Sequence, residues 1–159
     1  MSSLNLVPAS TEDYRRIAER KVPRFLFDYL DGGSYSETTL RANVSAYQDI
    51  TLKQTVLKDV SSVDTSVELF GTPYSMPSGL APIGMGGMFS ARGELQAKAA
   101  ADALNIPFTL STVAICSLEE VAEVSDKPFW FQLYMLKDRG AVQQILQRAQ
   151  HVGVDTLVF

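Results

Sequence analysis

From residue 78 onward, short apolar runs alternate with helical stretches at a regular spacing. The runs show little polar alternation, which is typical of strands buried on both faces of a parallel sheet. A new run begins after roughly 22 to 29 residues, the length of a β-α unit. The runs are Gly79–Ile83, Phe108–Ser111, Phe129–Leu133 and Thr156–Phe159. The alternation predicts an α/β fold whose sheet is either open and doubly wound or closed into a barrel.

Helix signals fill the gaps between these runs. Residues 94–104 are rich in alanine, and Ser117 begins a capping box. Residues 138–152 end just before Gly153, a residue common after helix ends. We therefore predict three helices between the four strands.

The first part of the chain lacks this alternation. A helix is predicted from Thr11, with a capping residue and acidic side chains at its start. A second helix is predicted between Pro23 and Gly32, and a third over residues 36–47. Residues 67–73 have the pattern of a short hairpin.

Composition excludes several classes of protein. A hydrophobic fraction of 46% with 20% charged residues is typical of a globular domain, and a net charge of -4 provides no surface for nucleic acid. No apolar run reaches the roughly 18 residues that a membrane span needs. Residues 1–5 do not begin a secretory signal, and one cysteine allows no internal disulfide. We therefore expect a cytoplasmic protein.

Polar residues follow the predicted strands. Ala81–Ile83 runs into a glycine-rich loop, and the second run ends in Ser111 and Thr112. Gln132 and Tyr134 are two residues apart at the end of the third. In parallel α/β folds, ligand-binding groups lie at the carboxyl ends of strands. We prefer the barrel because these groups would then converge on one rim.

Each candidate also has a purely structural interpretation. The glycines of residues 84–87 can simply shape a loop, without a dinucleotide fingerprint. Ser111 can satisfy the main chain at a strand end, and Tyr134 can be a core ring with a wet hydroxyl. Tyr29 lies on an apolar helical stripe, where core packing is the default. Gln132 is harder to explain structurally, because a buried amide needs partners.

Two further residues are assigned structural roles. His151, the single histidine, lies in the last turn of a predicted helix, where an imidazole interacts favourably with the helix dipole. Cys116 precedes a helix but has no histidine placed to pair with it, so we expect a structural thiol. No cluster has the spacing of metal ligands, and we predict no metal site.

The chain resembles the FMN-dependent 2-hydroxy-acid dehydrogenase and oxidase family, and within it the bacterial quinone-linked L-lactate dehydrogenases. The likeness extends in order from about residue 10 to the end of the chain. Six stretches carry it: Pro23–Gly33, Ser75–Pro77, Leu80–Gly84, Phe108–Val113, Ser117–Ala122 and Trp130–Gly140.

The resemblance implies a role for each candidate. Tyr29 matches the tyrosine that hydrogen-bonds the substrate carboxylate, and Tyr134 matches a second active-site tyrosine, which contacts the substrate and assists its oxidation. Ala81, Pro82 and Ile83 match the backbone that approaches the flavin ring. Ser111 and Gln132 match side chains that hydrogen-bond the isoalloxazine. The implied catalytic residue is Tyr134, and the implied cofactor is FMN.

The implied reaction is the oxidation of L-lactate to pyruvate, with electrons passed to a quinone or the respiratory chain. An oxidase that uses oxygen is the alternative within the family. Val113 stands where plant-type oxidases carry a tryptophan, a departure shared with the lactate dehydrogenase branch. The resemblance further implies peripheral attachment to the inner face of the cell membrane and assembly into homo-oligomers.

The resemblance makes this chain the N-terminal portion of a (β/α)8 TIM barrel preceded by a helical segment. Residues 1–77 are the helical segment and connecting structure, and residues 78–159 are the first four strands and three helices. In the family, the histidine base and the substrate-binding arginine come later than Phe159. Such barrels need about 250 residues, so we expect a truncated chain that is inactive and aggregation-prone alone. A non-catalytic half-barrel that associates with a partner chain or with copies of itself is the other interpretation.

Overall fold

The computed structural model describes residues 7–159, which form two compact units that divide between Asp59 and Val60. The predicted lack of a secretory signal concerns residues 1–5, which lie outside the described residues. No helix in residues 7–159 combines the length and apolarity needed to span a membrane.

The first unit is helical, as predicted. Its elements are α1 (Thr11–Lys21), α2 (Arg24–Asp31), α3 (Thr38–Ser45) and a 3-10 turn (Ala46–Asp49).

Local signals explain where these helices begin. The capping residue of α1 is Ser10, whose side chain accepts a hydrogen bond from Asp13 N while the Asp13 carboxylate accepts one from Ser10 N. Pro23 immediately precedes α2. Its fixed φ favours the start of a helix at this point. The Arg15 guanidinium donates to both carboxylate oxygens of Asp31, at 2.5 and 2.6 Å, and so links α1 to α2.

The first regular element of the second unit is the predicted hairpin. Its strands β1 (Val67–Leu69) and β2 (Thr72–Tyr74) are antiparallel. Phe70 and Gly71 connect them with φ values of 52° and 81°. Two consecutive positive φ values are typical of the tight turns that match the twist of a hairpin.

A parallel sheet forms the centre of this unit. Strands β3 (Thr109–Ser111), β4 (Trp130–Gln132) and β5 (Thr156–Val158) lie side by side in that order. The predicted strand at Gly79–Ile83 is reduced to one bridge, between Leu80 and Phe108. Its second half cannot extend the ladder regularly, because Pro82 has no N–H to donate.

Four helices accompany the sheet: α4 (Gly86–Phe89), α5 (Gly93–Leu104), α6 (Leu118–Ala122) and α7 (Arg139–His151). The last three are the predicted ones, and α4 is a short addition within the glycine-rich loop. The buried cluster includes residues from all three predicted helices and from the sheet: Ala101, Phe108, Leu110, Val121, Phe129, Phe131, Leu133, Val142 and Ala149.

The hairpin packs on β4 through aromatic edges. The rings of Phe70 and Tyr74 lie 5.6 and 6.3 Å from the ring of Trp130, measured between centroids. The main-chain N of Ser75 donates to Asn105 O at 2.9 Å. These contacts explain why the compact unit begins well before residue 78, where the alternation of strands and helices starts.

Candidate functional site

The carboxyl ends of β3 and β4 bring two predicted site residues together. Ser111 lies opposite Gln132 in the strand register, and its hydroxyl donates to Gln132 Oε1 at 3.3 Å. The main-chain N of Thr112 also approaches this oxygen, at 3.4 Å. Because Oε1 accepts from both donors, the free end of the side chain is Nε2, which has no hydrogen-bond partner in residues 7–159.

Ser111 is buried, with 5% of its surface exposed. Its hydroxyl also accepts a hydrogen bond from Val113 N, at 3.2 Å. The purely structural interpretation of this serine therefore holds in part, because it satisfies the main chain where β3 ends. The same hydroxyl orients Gln132, so one side chain performs both tasks.

The Ala81–Ile83 segment lies on the other side of β3. Leu80 pairs with Phe108, after which the main chain from Ala81 to Ile83 forms no hydrogen bond with the described residues. The Met85 N–H then donates to Val113 O at 2.9 Å, and ties the following loop to the end of β3. The segment therefore presents unpaired main-chain groups at the same edge of the sheet as Ser111 and Gln132. We call this edge the rim.

Gly84 allows the glycine-rich loop to pass close to the side chain of Val113. A Cβ added to Gly84 would lie 2.9 Å from Val113 Cγ2, closer than real Cβ contacts. The structure thus supports a packing role for this glycine beside any ligand role. The loop turns again at Met85, whose φ is 54°, immediately before α4.

The two predicted tyrosines lie in different units. Tyr134 follows β4 and is 56% exposed, so it is not a core ring. Tyr29 is in α2 of the first unit and is 65% exposed, so core packing does not explain it either. The second unit thus contains Ala81–Ile83, Ser111, Gln132 and Tyr134, whereas Tyr29 belongs to the first.

Sequence reasoning placed Thr112 with Ser111 at the end of the second strand but assigned it no role. Its hydroxyl donates to Gln132 O at 2.5 Å and accepts from Tyr134 N at 3.1 Å. It therefore joins the ends of β3 and β4 beyond the last ladder pair. The only sequence signal was a second hydroxyl directly after Ser111, which strand patterns do not distinguish from a loop residue.

Sequence reasoning missed Glu94. This residue is 5% exposed, and its Oε1 accepts hydrogen bonds from Gly87 N at 3.1 Å and Ile115 N at 3.0 Å. Burial acts to raise the pKa of Glu94, but the hydrogen bonds, that from Ile115 foremost, leave the pKa below its ordinary value. The carboxylate thus connects the loop after the Leu80 bridge to the loop after β3.

Cys116 and His151, for which we predict structural roles, lie outside this set of residues. Cys116 is buried, and this burial, together with the Glu94 carboxylate, raises the pKa of its thiol, which favours an unreactive form. His151 is exposed and is the last residue of α7. Within residues 7–159, no three His, Cys, Asp or Glu side chains are grouped so that they could hold a metal ion.

Comparison with known proteins identifies the family of this chain. The model of the FMN-dependent dehydrogenase family matches residues 18–159, nearly the whole chain. The chain belongs to this family. It is 58% identical to an L-lactate dehydrogenase of Ectopseudomonas mendocina over 97% of its length. It spans about 40% of the length of the curated relatives it matches.

Solved structures agree with this membership. The chain resembles a soluble mutant of the membrane-associated (S)-mandelate dehydrogenase from Pseudomonas putida, with a TM-score of 0.87 and 36% identity over 92% of this chain and 42% of that one. A Pediococcus acidilactici lactate oxidase matches with a TM-score of 0.90 and 28% identity over 96% and 43% of the two chains. The predicted fold class, the opening portion of a (β/α)8 barrel, is confirmed.

The rim fits the cofactor of the FMN-dependent dehydrogenase family. The edge of a flavin ring carries carbonyl oxygens and N–H groups, which pair with neutral donors and acceptors. The Ser111 hydroxyl, the free Nε2 of Gln132 and the unpaired main chain of Ala81–Ile83 are groups of this kind. FMN is the cofactor that family membership implies, and these residues would hold it.

Proposed function

We propose that the whole protein oxidises L-lactate to pyruvate with FMN and passes the electrons to a quinone or the respiratory chain. The observation that carries this proposal is the rim itself, where Gln132 presents a free amide nitrogen beside Ser111 and an unpaired main-chain segment. The 58% identity to an L-lactate dehydrogenase supports lactate as the substrate.

The chain's residues would act mainly by binding and orientation. Bound FMN supplies the acceptor for the two electrons that leave the substrate. The main chain of Ala81–Ile83 would lie against the ring, with Ser111 and Gln132 hydrogen-bonded to it. The hydroxyl of Tyr29 would donate to the substrate carboxylate. Tyr134, the proposed catalytic residue, would contact the substrate at its hydroxyl-bearing carbon.

The test uses the full-length gene product. We expect the purified protein to contain FMN, and its flavin absorbance to bleach when L-lactate is added without oxygen. A quinone analogue should restore the colour rapidly, whereas air should restore it slowly. Rapid reoxidation by air with release of peroxide would instead assign the oxidase alternative. A flavin that L-lactate does not bleach would contradict the proposal.

The tyrosine roles are tested by single-atom changes. Tyr134→Phe and Tyr29→Phe each remove one hydroxyl from an exposed ring, so the fold should be retained. We expect Tyr29→Phe to raise the KM for L-lactate. We expect Tyr134→Phe to raise the KM and also to lower kcat. Tyr47→Phe, which changes another exposed tyrosine of the first unit, is the control. Unchanged kinetics in both variants would contradict the assigned roles.

We propose, finally, that the protein is cytoplasmic, associates peripherally with the inner face of the cell membrane and forms homo-oligomers. The similarity to a soluble mutant of a membrane-associated mandelate dehydrogenase supports the membrane part. Fractionation should place the protein with membranes, from which alkaline carbonate releases it. Mass measurement in solution should then give a multiple of the subunit mass. A monomer that stays in the soluble fraction would contradict both parts.

A further inference from the structure

The side chain of Thr112 continues the hydrogen bonding between β3 and β4 after the main chain of β3 has left the sheet. The last ladder pair joins Ser111 to Gln132. Beyond it, the chain turns away, and Ala114 N donates to Ser111 O at 3.1 Å. The Thr112 hydroxyl donates to Gln132 O at 2.5 Å and accepts from Tyr134 N at 3.1 Å.

These two bonds reproduce one step of a parallel ladder. In a regular ladder, one residue of a strand donates its N–H to a carbonyl of the neighbouring strand and accepts, at its own carbonyl, the N–H two residues further along. If β3 continued, the main chain of Thr112 would bond Gln132 O and Tyr134 N in this way. The hydroxyl makes both bonds instead, with one atom as donor and acceptor.

Because the hydroxyl makes these two bonds, the main-chain N–H of Thr112 is free for another contact. Its N–H approaches Gln132 Oε1 at 3.4 Å, beside the Ser111 hydroxyl at 3.3 Å. Thr112 therefore holds Gln132 at both its main-chain oxygen and its side-chain oxygen. It also fixes the main chain of Tyr134, which carries the exposed ring.

We propose that Thr112 is a positioning residue that sets the Gln132 amide and the Tyr134 ring in a fixed relation at the rim. The inference rests on the proposed function, in which Gln132 holds FMN and Tyr134 contacts the substrate. Thr112 acts through these two residues and is given no direct contact with either ligand. Its hydroxyl thereby couples cofactor binding to substrate contact.

The matched variants separate the hydroxyl from the bulk of the side chain. Thr112→Val keeps the shape and removes the hydroxyl, while Thr112→Ser keeps the hydroxyl and removes a methyl group. Thr109→Val is the control, because Thr109 is a buried residue of the same strand whose hydroxyl forms no hydrogen bond in residues 7–159. All variants are made in the full-length gene product.

The experiment measures FMN affinity of the apoprotein by flavin fluorescence, then kcat and KM for L-lactate. For Thr112→Val we expect the Kd for FMN to rise about tenfold or more, because the variant loses both hydrogen bonds of the hydroxyl, the one to Gln132 O and the one from Tyr134 N, that hold the end of β4 in place. We also expect kcat to fall at saturating FMN, since Tyr134 is displaced. Thr112→Ser should stay within about threefold of the wild type, and Thr109→Val should match it.

The outcomes distinguish this inference from the proposed function. If the wild-type protein neither binds FMN nor oxidises L-lactate, the proposed function fails. If the wild type does both and Thr112→Val equals it in Kd and kcat, the inference is overturned. Equal losses in Thr112→Val and Thr109→Val would also overturn it, since they would show a general packing effect. Should Thr112→Val not fold, Thr112→Ala removes the hydroxyl without adding a methyl group and gives the same comparison.

Discussion

At the scale of single residues, the Glu94 carboxylate supports two loops of the rim. Replacing it with leucine would leave the N–H groups of Gly87 and Ile115 without their acceptor. A buried unsatisfied donor costs about 1–3 kcal/mol. We expect Glu94→Leu to lower the free energy of unfolding by about 2–4 kcal/mol, measured by urea denaturation of the full-length protein. Glu94→Gln should lower it less, because its amide oxygen can still accept both bonds.

Acid should weaken the same contacts. The folded-state pKa of Glu94 lies below its ordinary value. Its contribution to stability is therefore present above the ordinary pKa and is lost as pH falls through the lowered one. Glu94→Gln should flatten the acid limb of the stability profile, whereas Glu123→Gln, a change at an exposed carboxylate, should not. Parallel profiles for the wild type and both variants would contradict this account.

Residues on the rim differ in how far the sequence identifies them. Ser111 and Gln132 were predictable, since polar residues at the ends of buried runs stand out from an apolar background. Thr112 was not, because its role depends on where β3 leaves the ladder. Glu94 lies at the start of a helix, where acidic residues are common for reasons of the helix dipole. Only the fold shows that its carboxylate is buried between two loops.

At the scale of elements, ion pairs anchor the short helix α6 on two sides. Glu119 accepts two hydrogen bonds from Arg148 of α7, at 2.8 and 2.7 Å, and Glu120 accepts one from Arg92 at 2.6 Å. The hydrogen bond and the charge of Arg148 lower the pKa of Glu119 to about 2. α6 has only five residues, too few for a stable isolated helix, so these contacts and its capping box help to hold it in place.

This arrangement predicts a small effect at neutral pH and a distinct one in acid. Both side chains of the Arg148–Glu119 pair are about half exposed, so Arg148→Met should cost only about 0–1 kcal/mol. The pair's contribution is complete above pH 4.5 and is lost as pH falls toward 2. Arg148→Met should remove that loss, as judged from denaturation curves across this interval.

The control for this prediction lies on the same helix. Arg139→Met removes a positive charge at the start of α7, where Arg139 forms no ion pair with the described residues. It should leave the acid dependence of the wild type unchanged. If both arginine variants flatten the profile equally, net charge and not the Glu119 pair is the cause.

Elements whose signals are local were predicted well. The hairpin, α5, α6 and α7 are confirmed, because each is specified by residues adjacent in the sequence, such as caps and turn residues. The strand at Gly79–Ile83 was predicted too long, because apolar content does not show where a ladder stops. The short helix α4 was not predicted. It follows Met85, whose main chain has the left-handed conformation that methionine rarely adopts.

At the scale of the whole molecule, the sheet ends in an exposed strand. In residues 7–159, β5 pairs only with β4, and Leu157 and Phe159 are 51% and 86% exposed. An unpaired edge with exposed apolar side chains is a template for association. We expect residues 1–159 expressed alone to self-associate and to bind no stoichiometric FMN, measured by light scattering and flavin absorbance.

A charge at the edge tests the cause of this association. Leu157→Lys should reduce the scattering, because an edge lysine opposes strand pairing. Val7→Lys, which places the same charge on an exposed residue remote in sequence from the sheet, should not. A monodisperse yellow monomer from residues 1–159 would contradict the prediction.

The strand spacing alone did not separate barrel from open sheet, since closure depends on strand tilt and register across the whole sheet.

The position of Trp130 on β4 allows the docking of the hairpin to be followed by tryptophan fluorescence. Trp130 is the single tryptophan of the chain; it precedes Gln132 by two residues on β4 and contacts Phe70 and Tyr74 of the hairpin region. Its indole emission therefore reports whether the hairpin remains docked against β4. In residues 1–159 no label is needed to follow that event, since the chain carries its own optical probe on the strand that also bears a residue of the rim.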